Sequence, residues 1–467
     1  MKRHRRLVHV VALVGIGVCA LAVPAVAQDC PELVGRWPYG PDFAVAVSGT
    51  YALFSSGSVL RVADVSTPAA PLDVGEIVLP GFINLHTHLY STFARGLTGI
   101  APSAGFADVL EHLWWRLDRA LTPDACYYSA LPALLEAIRS GTTTIVDHHS
   151  SPHAIEDSLD VIAKAVKETG MRACLCYEVS DRDGMEAAAD GIAENAAFLF
   201  AYASGPHSLL RGLFGLHASF TLSDRTLSAA VEAGRREMAG FHIHVAESAL
   251  DQEQTRALSG LSVVERLSEF GVLGERTIAA HGVHLDDAEM DLLASTGTIV
   301  AHNPQSNMNN AVGIADLARL RTHNVLVGLG TDAMTNDMRQ ELRAGIWAQR
   351  YRQQNPSAGF DELVTALWSV NPLAVSRVWG SRIGELSEGS AADLIAVDYV
   401  PATPLTDESL LGHLVFGLGS ARVDTTIVGG RVLMHGGRLL LDLDEQEVAA
   451  KAREAAQDVW RRFASLS

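Results

Sequence analysis

Basic residues are scarce and scattered: 36 lysines and arginines stand against 54 acidic residues, a formal net charge of −18, and no long basic run lies beyond the first six residues. A nucleic-acid footprint needs clustered positive charge, so that class of partner is excluded. Cysteine is also sparse. Of the five, Cys19 sits in the leading segment, and Cys30, Cys126, Cys174 and Cys176 lack the density of a disulfide scaffold. Cys174 and Cys176 have alternating strand spacing; no further Cys or His pair nearby in sequence completes a four-ligand zinc set, so they read as core packing. After residue 27 no stretch is apolar enough to cross a membrane.

What is present begins with a leader. Lys2 to Arg6 is charged, Val10 to Val23 is apolar, and Ala25-Val26-Ala27 fits a cleavage site before Gln28, so residues 1–27 read as a signal peptide and the mature protein as exported, periplasmic and free of a stable span. The whole chain is 467 residues long, 48% of them hydrophobic, with 40 glycines and 17 prolines to turn it. It can bury a large core, and single barrels often reach this size.

Between Gly81 and Asp332 lie eight β-prone segments: Phe82–His86, Thr142–Asp147, Arg172–Glu178, Leu213–Ser219, Phe241–Glu247, Thr277–His281, Thr298–His302 and Leu326–Asp332. Helix-patterned stretches such as Ile155–Thr169, Ser223–Met238 and Leu261–Phe270 separate many of them. This alternation predicts an α/β fold with a (β/α)8 barrel over residues 80–380. The first connection, Leu89–Gly141, is the longest and reads as a lid at the barrel mouth; it carries a helical run, Phe106–Leu121, and a Thr122 N-cap ahead of Pro123. Trp114 or Phe93 could stack an aromatic substrate there. Residues 28–79 are β-rich, and residues 381–467 carry β runs at Ala391–Asp398 and Asp424–Met434, a turn at Gly429-Gly430, and a closing helix at Ala449–Leu466.

Five of the β-prone segments stop at metal-binding or acid/base side chains: His86-Thr87-His88, then His244 to Glu247, His281 to His284, His302 and Asp332. Alternate side chains of a strand share a face, so His86 and His88 point into one site. Catalytic residues of barrels sit at such strand ends.

Together with Leu89–Gly96, Asp147–Pro152, His302–Met308 and Gly330–Asp337, these residues resemble the amidohydrolase superfamily, in its deaminase and chlorohydrolase branch, and within it a group of aminohydrolases associated with selenium metabolism. The resemblance runs from about Val78 to the C-terminus. It implies a small β-sandwich domain built by the segments that flank the barrel. Leu33 to Ile77 resembles instead one LVIVD-type propeller repeat, with β runs at Ala44–Val47, Tyr51–Phe54 and Leu60–Val65 and a turn at Ser66-Thr67-Pro68. Either it substitutes for the expected sandwich strands or it marks a fused chain.

Binuclear members of the superfamily bridge their metals with a carboxylated lysine, and no lysine occurs in the eight segments. The resemblance therefore implies a single ion, Zn2+ or alternatively Fe2+, held by His86, His88, His244 and Asp332. Such an ion brings water ionisation towards neutral pH. Glu247 is implied to carry a proton from that water to a ring nitrogen or leaving amine. His281 would hydrogen-bond the water or the developing oxyanion, Asp332 would accept a proton as well as bind metal, and His217 would contact substrate. His148 and His149 end the second strand, which places His149 as a further substrate contact. His242, His284 and His302 read as structural or as orienting the ligands.

The implied reaction is hydrolysis of a carbon–nitrogen bond other than a peptide bond: deamination of a nitrogen heterocycle with release of ammonia. A hydantoinase-like cyclic amide hydrolase is an alternative that the missing lysine disfavours, and an exported binding protein with a degenerate barrel is another. The expected partner is a small nitrogen-containing substrate; a homo-oligomer stays open, and the cytoplasmic habit of the resembling family stands against the leader.

Overall fold

Apolar runs rich in Val, Ile and Leu form the strands, and the computed structural model, which describes residues 45–48, 51–56, 59–64, 72–202, 208–406 and 408–466, buries most of the barrel runs on both faces. Two-sided burial is what a parallel sheet wrapped by helices imposes. The signal peptide, Cys30 and the Ser66–Pro68 turn lie outside the described residues.

Four antiparallel strands come first: β1 (Val45–Ser48), β2 (Tyr51–Ser56), β3 (Val59–Asp64) and β4 (Leu72–Pro80). The barrel follows, with β5 (Phe82–Thr87), β6 (Thr142–His149), β7 (Arg172–Tyr177), β8 (Leu210–Gly212), β9 (Phe214–Ala218), β10 (Phe241–Val245), β11 (Ile278–His281), β12 (Ile299–His302) and β13 (Leu326–Leu329). Strands β14 (Leu394–Asp398), β15 (Arg422–Val428), β16 (Arg431–His435) and β17 (Arg438–Leu439) end the set.

Two parallel sheets, β5-β6-β7-β8 and β9-β10-β11-β12-β13, are joined by single parallel bridges, Val179 to Leu216 and Thr87 to Asp332. The ring is a (β/α)8 barrel, and each of the eight β-prone segments supplies one stave. The fourth is split. Leu213 donates its N–H to Leu175, whereas Phe214 donates to Gly240.

The flanking segments meet in one sheet of order β1-β2-β3-β4-β14-β15-β16-β17, with β4 antiparallel to β14 from Glu76–Asp398 to Pro80–Leu394. The N-terminal strands thus enter the same small β-domain as the C-terminal ones. Gly429 and Gly430 turn β15 into β16 with φ of 56° and 81°, a left-handed pair that glycine adopts without strain.

Helix boundaries follow capping chemistry. Ser262 and Glu265 form a reciprocal capping box, so that helix begins at Val263 rather than at Leu261. Asp157 has φ 61°, which delays the helix expected from Ile155 until Ser158. In the long first connection Phe106–Arg119 is helical with a π turn at Leu110–Trp114, and Thr122 caps the next helix by accepting the Ala125 N–H at 3.2 Å. Phe93 is not at the mouth as expected: it is buried under the terminal helix Glu445–Ser465, whose Trp460 donates to the Phe93 carbonyl at 2.8 Å.

Closure of the barrel is reinforced by amide side chains. Asn371 accepts from Leu329 N–H at 2.8 Å and donates to the carbonyls of Ile83 and Leu329; Asn84 accepts the Thr331 N–H at 3.1 Å. A Cβ on Gly330 would lie 2.5 Å from Asn303 Oδ1 and 2.8 Å from His86 Cβ, so only glycine lets the two strand ends approach. At the opposite end of the barrel Arg172 makes a two-pronged contact with Asp393, at 2.6 and 3.0 Å, and Asp393 also takes the Gly429 N–H at 2.6 Å.

That ion pair is buried on both sides and ties β7 to the β-domain. Asp393→Ala strands a buried guanidinium, and the expected cost is about 3 to 5 kcal/mol in urea unfolding; a loss below about 1 kcal/mol would show that the link between the two sheets lies elsewhere.

Candidate active site

Three imidazoles converge at the carboxyl ends of the strands, each held by one ring nitrogen. His88 donates Nδ1–H to the His148 carbonyl at 2.5 Å, and His244 donates Nδ1–H to the His217 carbonyl at 2.8 Å. His86 shares a 3.0 Å hydrogen bond between its Nδ1 and His242 Nε2. The Nε2 atoms that remain face one another: His244 and His88 are 3.4 Å apart there, and His86 Nε2 is buried with no hydrogen-bond partner. Asp332 completes the set, with Oδ1 3.2 Å from His88 Nε2 and 3.8 Å from His86 Nε2.

The spacing fits a divalent ion. Zinc bonds of roughly 2.0–2.1 Å in tetrahedral array put ligand atoms about 3.3 Å apart; the His88–His244 and His88–Asp332 separations match this, and His86 to Asp332, at 3.8 Å, is wider. Two of the protonation states fit as well. Burial, reinforced by the neighbouring imidazoles, holds His86 and His244 well below the ordinary histidine range, so both offer lone pairs. His88 differs: burial opposes its charge, but the hydrogen bond and charge of Asp332 outweigh it and raise His88 to about 9, so His88 would have to give up a proton to take an ion. Burial likewise opposes ionisation of Asp332, yet contact with His88 holds its carboxyl below the usual range.

Acid/base groups surround this cage. Glu247 Oε2 lies 3.4 Å from His281 Nε2, its Oε1 accepts from Asn310 at 3.3 Å, and its backbone N–H is anchored on Asp251 at 2.8 Å. Burial first, and the Asp332 charge second, push the Glu247 carboxyl well above the usual range. His281 donates Nδ1–H to Asn307 at 2.8 Å, leaving an Nε2 lone pair 3.9 Å from Asp332 Oδ2. Ser306 donates to Asp332 Oδ2 at 2.5 Å. Ala246, His281 and Asp332 all have positive φ, 49°, 79° and 53°, which costs conformational energy and turns the chain sharply off each strand at the mouth.

A narrow cavity of about 50 Å³ opens over these groups, walled by His88, Glu178, His217, His244, Glu247 and Asp332, with Trp114, Trp115 and Phe220 among its aromatic lining. His217 and Trp114, both expected to meet substrate, line it. His149 does not: it is buried on the opposite face of β6, where its Nε2 shares a hydrogen bond with Ser151 at 2.9 Å beside Cys126. Strand parity is the reason, because His148 takes the inward face and stacks on His242 at 4.4 Å between ring centres. His148 and His242 also stand beside Cys176, a grouping of possible metal donors that sequence spacing does not disclose. His284 donates Nε2–H to the Val312 carbonyl at 2.6 Å, and burial lowers His302 to about 3.

Glu178, Asp118 and Arg182 escape the sequence reading. Glu178 is buried and lines the cavity, and burial, tempered by His88 and Arg182, raises its carboxyl to about 7. Arg182 is ion-paired with Asp118 and donates to Ser150 at 2.8 Å. The signal available was only that Glu178 ends a β-prone run as the ligands do.

Comparison with known proteins agrees with this geometry. Residues 77–433 match the amidohydrolase family. A 5-methylthioadenosine/S-adenosylhomocysteine deaminase of Pelotomaculum thermopropionicum is 33% identical over 427 residues, covering 89% of this chain and 93% of its own. A 5'-deoxyadenosine deaminase of Methanosarcina mazei is 33% identical over 397 residues, 84% and 88% of the two chains. Among solved structures, an adenosine deaminase of Xanthomonas campestris with bound zinc is similar at a TM-score of 0.74 and 24% identity, over 90% of this chain and 95% of its own. Atrazine chlorohydrolase of Arthrobacter aurescens is similar at 0.69 and 21%, over 87% and 95%. At those identities the likeness is one of fold.

The cage makes a direct prediction. The purified chain binds one divalent ion, and His88→Ala loses it, as read by elemental analysis after dialysis; full retention of the ion in the variant would place the metal elsewhere.

Proposed function

The chain belongs to the amidohydrolase family, and from that premise we propose that it is an aminohydrolase that uses one Zn2+, with Fe2+ as the alternative, to release ammonia from an amino-substituted nitrogen heterocycle. The observation that carries this reading is the convergence of three Nε2 atoms and one Asp332 oxygen directly beneath Glu247 and His281. The relatives' names support deamination of a purine-type ring; at a third identity they leave the particular ring open.

His86, His88, His244 and Asp332 would hold the ion, whose Lewis acidity brings water ionisation within reach of neutral pH. His281 is prepared to accept a hydrogen bond from the attacking water, because its Nδ1–H is committed to Asn307 and Nε2 keeps a lone pair. Asp332, hydrogen-bonded to Ser306, is the nearest anionic acceptor for the water proton. Burial and the charge of Asp332 favour the protonated form of Glu247, which is placed to deliver a proton to the ring nitrogen adjoining the reacting carbon. Attack there gives a tetrahedral carbon bearing hydroxyl and amine; transfer of a proton to the amine expels ammonia. His217 and Trp114, which line the cavity, would contact the ring.

Among the described residues no helix is long and apolar enough to cross a membrane. Export, carried by residues 1–27, belongs to the same proposal.

Glu247→Gln keeps the shape and removes the proton carrier. Its kcat/KM for ammonia release is expected to fall about a hundred- to ten-thousand-fold with metal content unchanged; a variant with near-normal turnover would remove Glu247 from the proton path.

A further inference from the structure

The short helix Pro304–Asn309 and its C-cap residue, Asn310, touch all three acid/base groups of the site. Ser306 donates to Asp332 Oδ2, Asn307 accepts from His281 Nδ1, and Asn310 donates to Glu247 Oε1. The helix is itself held in place. The two oxygens of the buried Glu341 take the backbone N–H of Gln305 at 2.9 Å and its side-chain amide at 2.6 Å, and Asn310 donates its backbone N–H to the Ser306 carbonyl at 2.8 Å.

Counting hydrogens fixes the sense of the Asn310 contacts. Ser306 has one hydroxyl proton and spends it on Asp332 at 2.5 Å, so its oxygen can only accept from Asn310 Nδ2, 3.3 Å away. The same Nδ2 lies 3.3 Å from Glu247 Oε1, and Asn310 Oδ1 accepts from Asn309 at 3.1 Å. Both N–H groups of the amide are thereby spent on the protein, and Asn310, although it lines the cavity, keeps no donor for substrate. It ties Glu247 to Asp332 instead, through Ser306, in one chain of hydrogen bonds.

A glutamic acid side chain turns easily about its last torsion, and its proton can sit on either oxygen. Asn310 removes that freedom. With Oε1 engaged as an acceptor, the oxygen left to carry a proton is Oε2, which lies 3.4 Å from His281 Nε2. The consequence rests on the aminohydrolase reading above, in which Glu247 carries the proton. We propose that Asn310 is a positioning residue for the reaction: it holds Glu247 with Oε1 as acceptor, so that the proton to be delivered lies on Oε2, on the His281 side.

The test is a double-mutant cycle on the zinc-loaded full chain, with ammonia release read on the best substrate of a panel of amino-substituted purines and pyrimidines and metal content measured on every variant. Asn310→Leu keeps the bulk and removes the donors; Asn310→Ala removes them with less bulk, which separates loss of the donor from a fault of packing. Each is expected to lower kcat about tenfold, the scale of one hydrogen bond, with KM within about twofold and the ion retained. In the Glu247→Gln background the same changes are expected to have no further effect, because no proton is left to place. An equal loss in both backgrounds, a loss confined to one of the two Asn310 variants, native kcat in both, or loss of the ion would overturn the proposal and leave the role of Glu247 intact. Near-normal turnover by Glu247→Gln would overturn the proton-carrier reading and this proposal with it, as would a metal-loaded native chain that releases ammonia from no member of the panel.

Discussion

The contact between β5 and β13 governs both the barrel and the site. A closed barrel has to join its first strand to its last, and here the ladder at that seam is thin: a single bridge, Thr87 to Asp332, with the N–H groups of Thr331 and Asp332 both donated to the His86 carbonyl at 2.9 and 2.8 Å. The side chains of Asn84 and Asn371 supply the hydrogen bonds the backbone lacks. Because the Asp332 backbone hangs from His86, its carboxylate arrives 3.2 Å from His88 Nε2 as soon as the ring closes. Barrel closure and the meeting of His88 with Asp332 are therefore one event, and an ion held there would add its binding energy to the folded state alone.

Electrostatics explains why the cage calls for a cation. Glu178, Glu247, Asp251 and Asp332 stand together around the cavity, and burial pushes the first three upward in pKa, which is the response of acids crowded in a poorly solvated space. Two of the imidazoles between them, His86 and His244, are kept neutral by the same burial. Carbonyls near the carboxyl ends of β6 and β9, on His148 and His217, take the Nδ1 protons of His88 and His244 and so fix which nitrogen faces the centre. The charge of His88, raised to about 9 by Asp332, occupies the place that a cation would take.

Strand parity and strand ends were readable in the sequence; what lies between distant elements was not. His86 and His88 share a face because they are two apart, and the runs ending at His244, His281 and Asp332 announced the rest of the cage. The same parity rule condemns His149. Of two adjacent residues on β6 only one can look inward, and the contact of His148 with His242 shows which. Phe93 was misplaced because the terminal helix that covers it is some 350 residues away in sequence, as the Trp460 hydrogen bond with |i−j| of 367 records. Glu178 sat at the end of a recognised run, but its approach to His88, 3.4 Å away, depends on a strand 90 residues earlier. No local pattern carries such a pairing.

The β-domain settles how an unusual N-terminal segment can serve an ordinary barrel. Strand β4 runs through Pro80 and Gly81 straight into β5, so its pairing with β14 sets where the strand that carries His86 begins. Gly81 donates its N–H to the Asp393 carbonyl at 3.0 Å, and a Cβ there would strike Thr143 at 2.2 Å, which pins the junction by backbone contact. Antiparallel pairing is likewise a backbone matter, met by many strands of suitable length and alternation. What the site requires of the preceding segment is thus a strand in register with β14 and a glycine at the bend, and β1–β3 need only extend the sheet edge. A segment that resembles a propeller repeat can meet that requirement through its backbone.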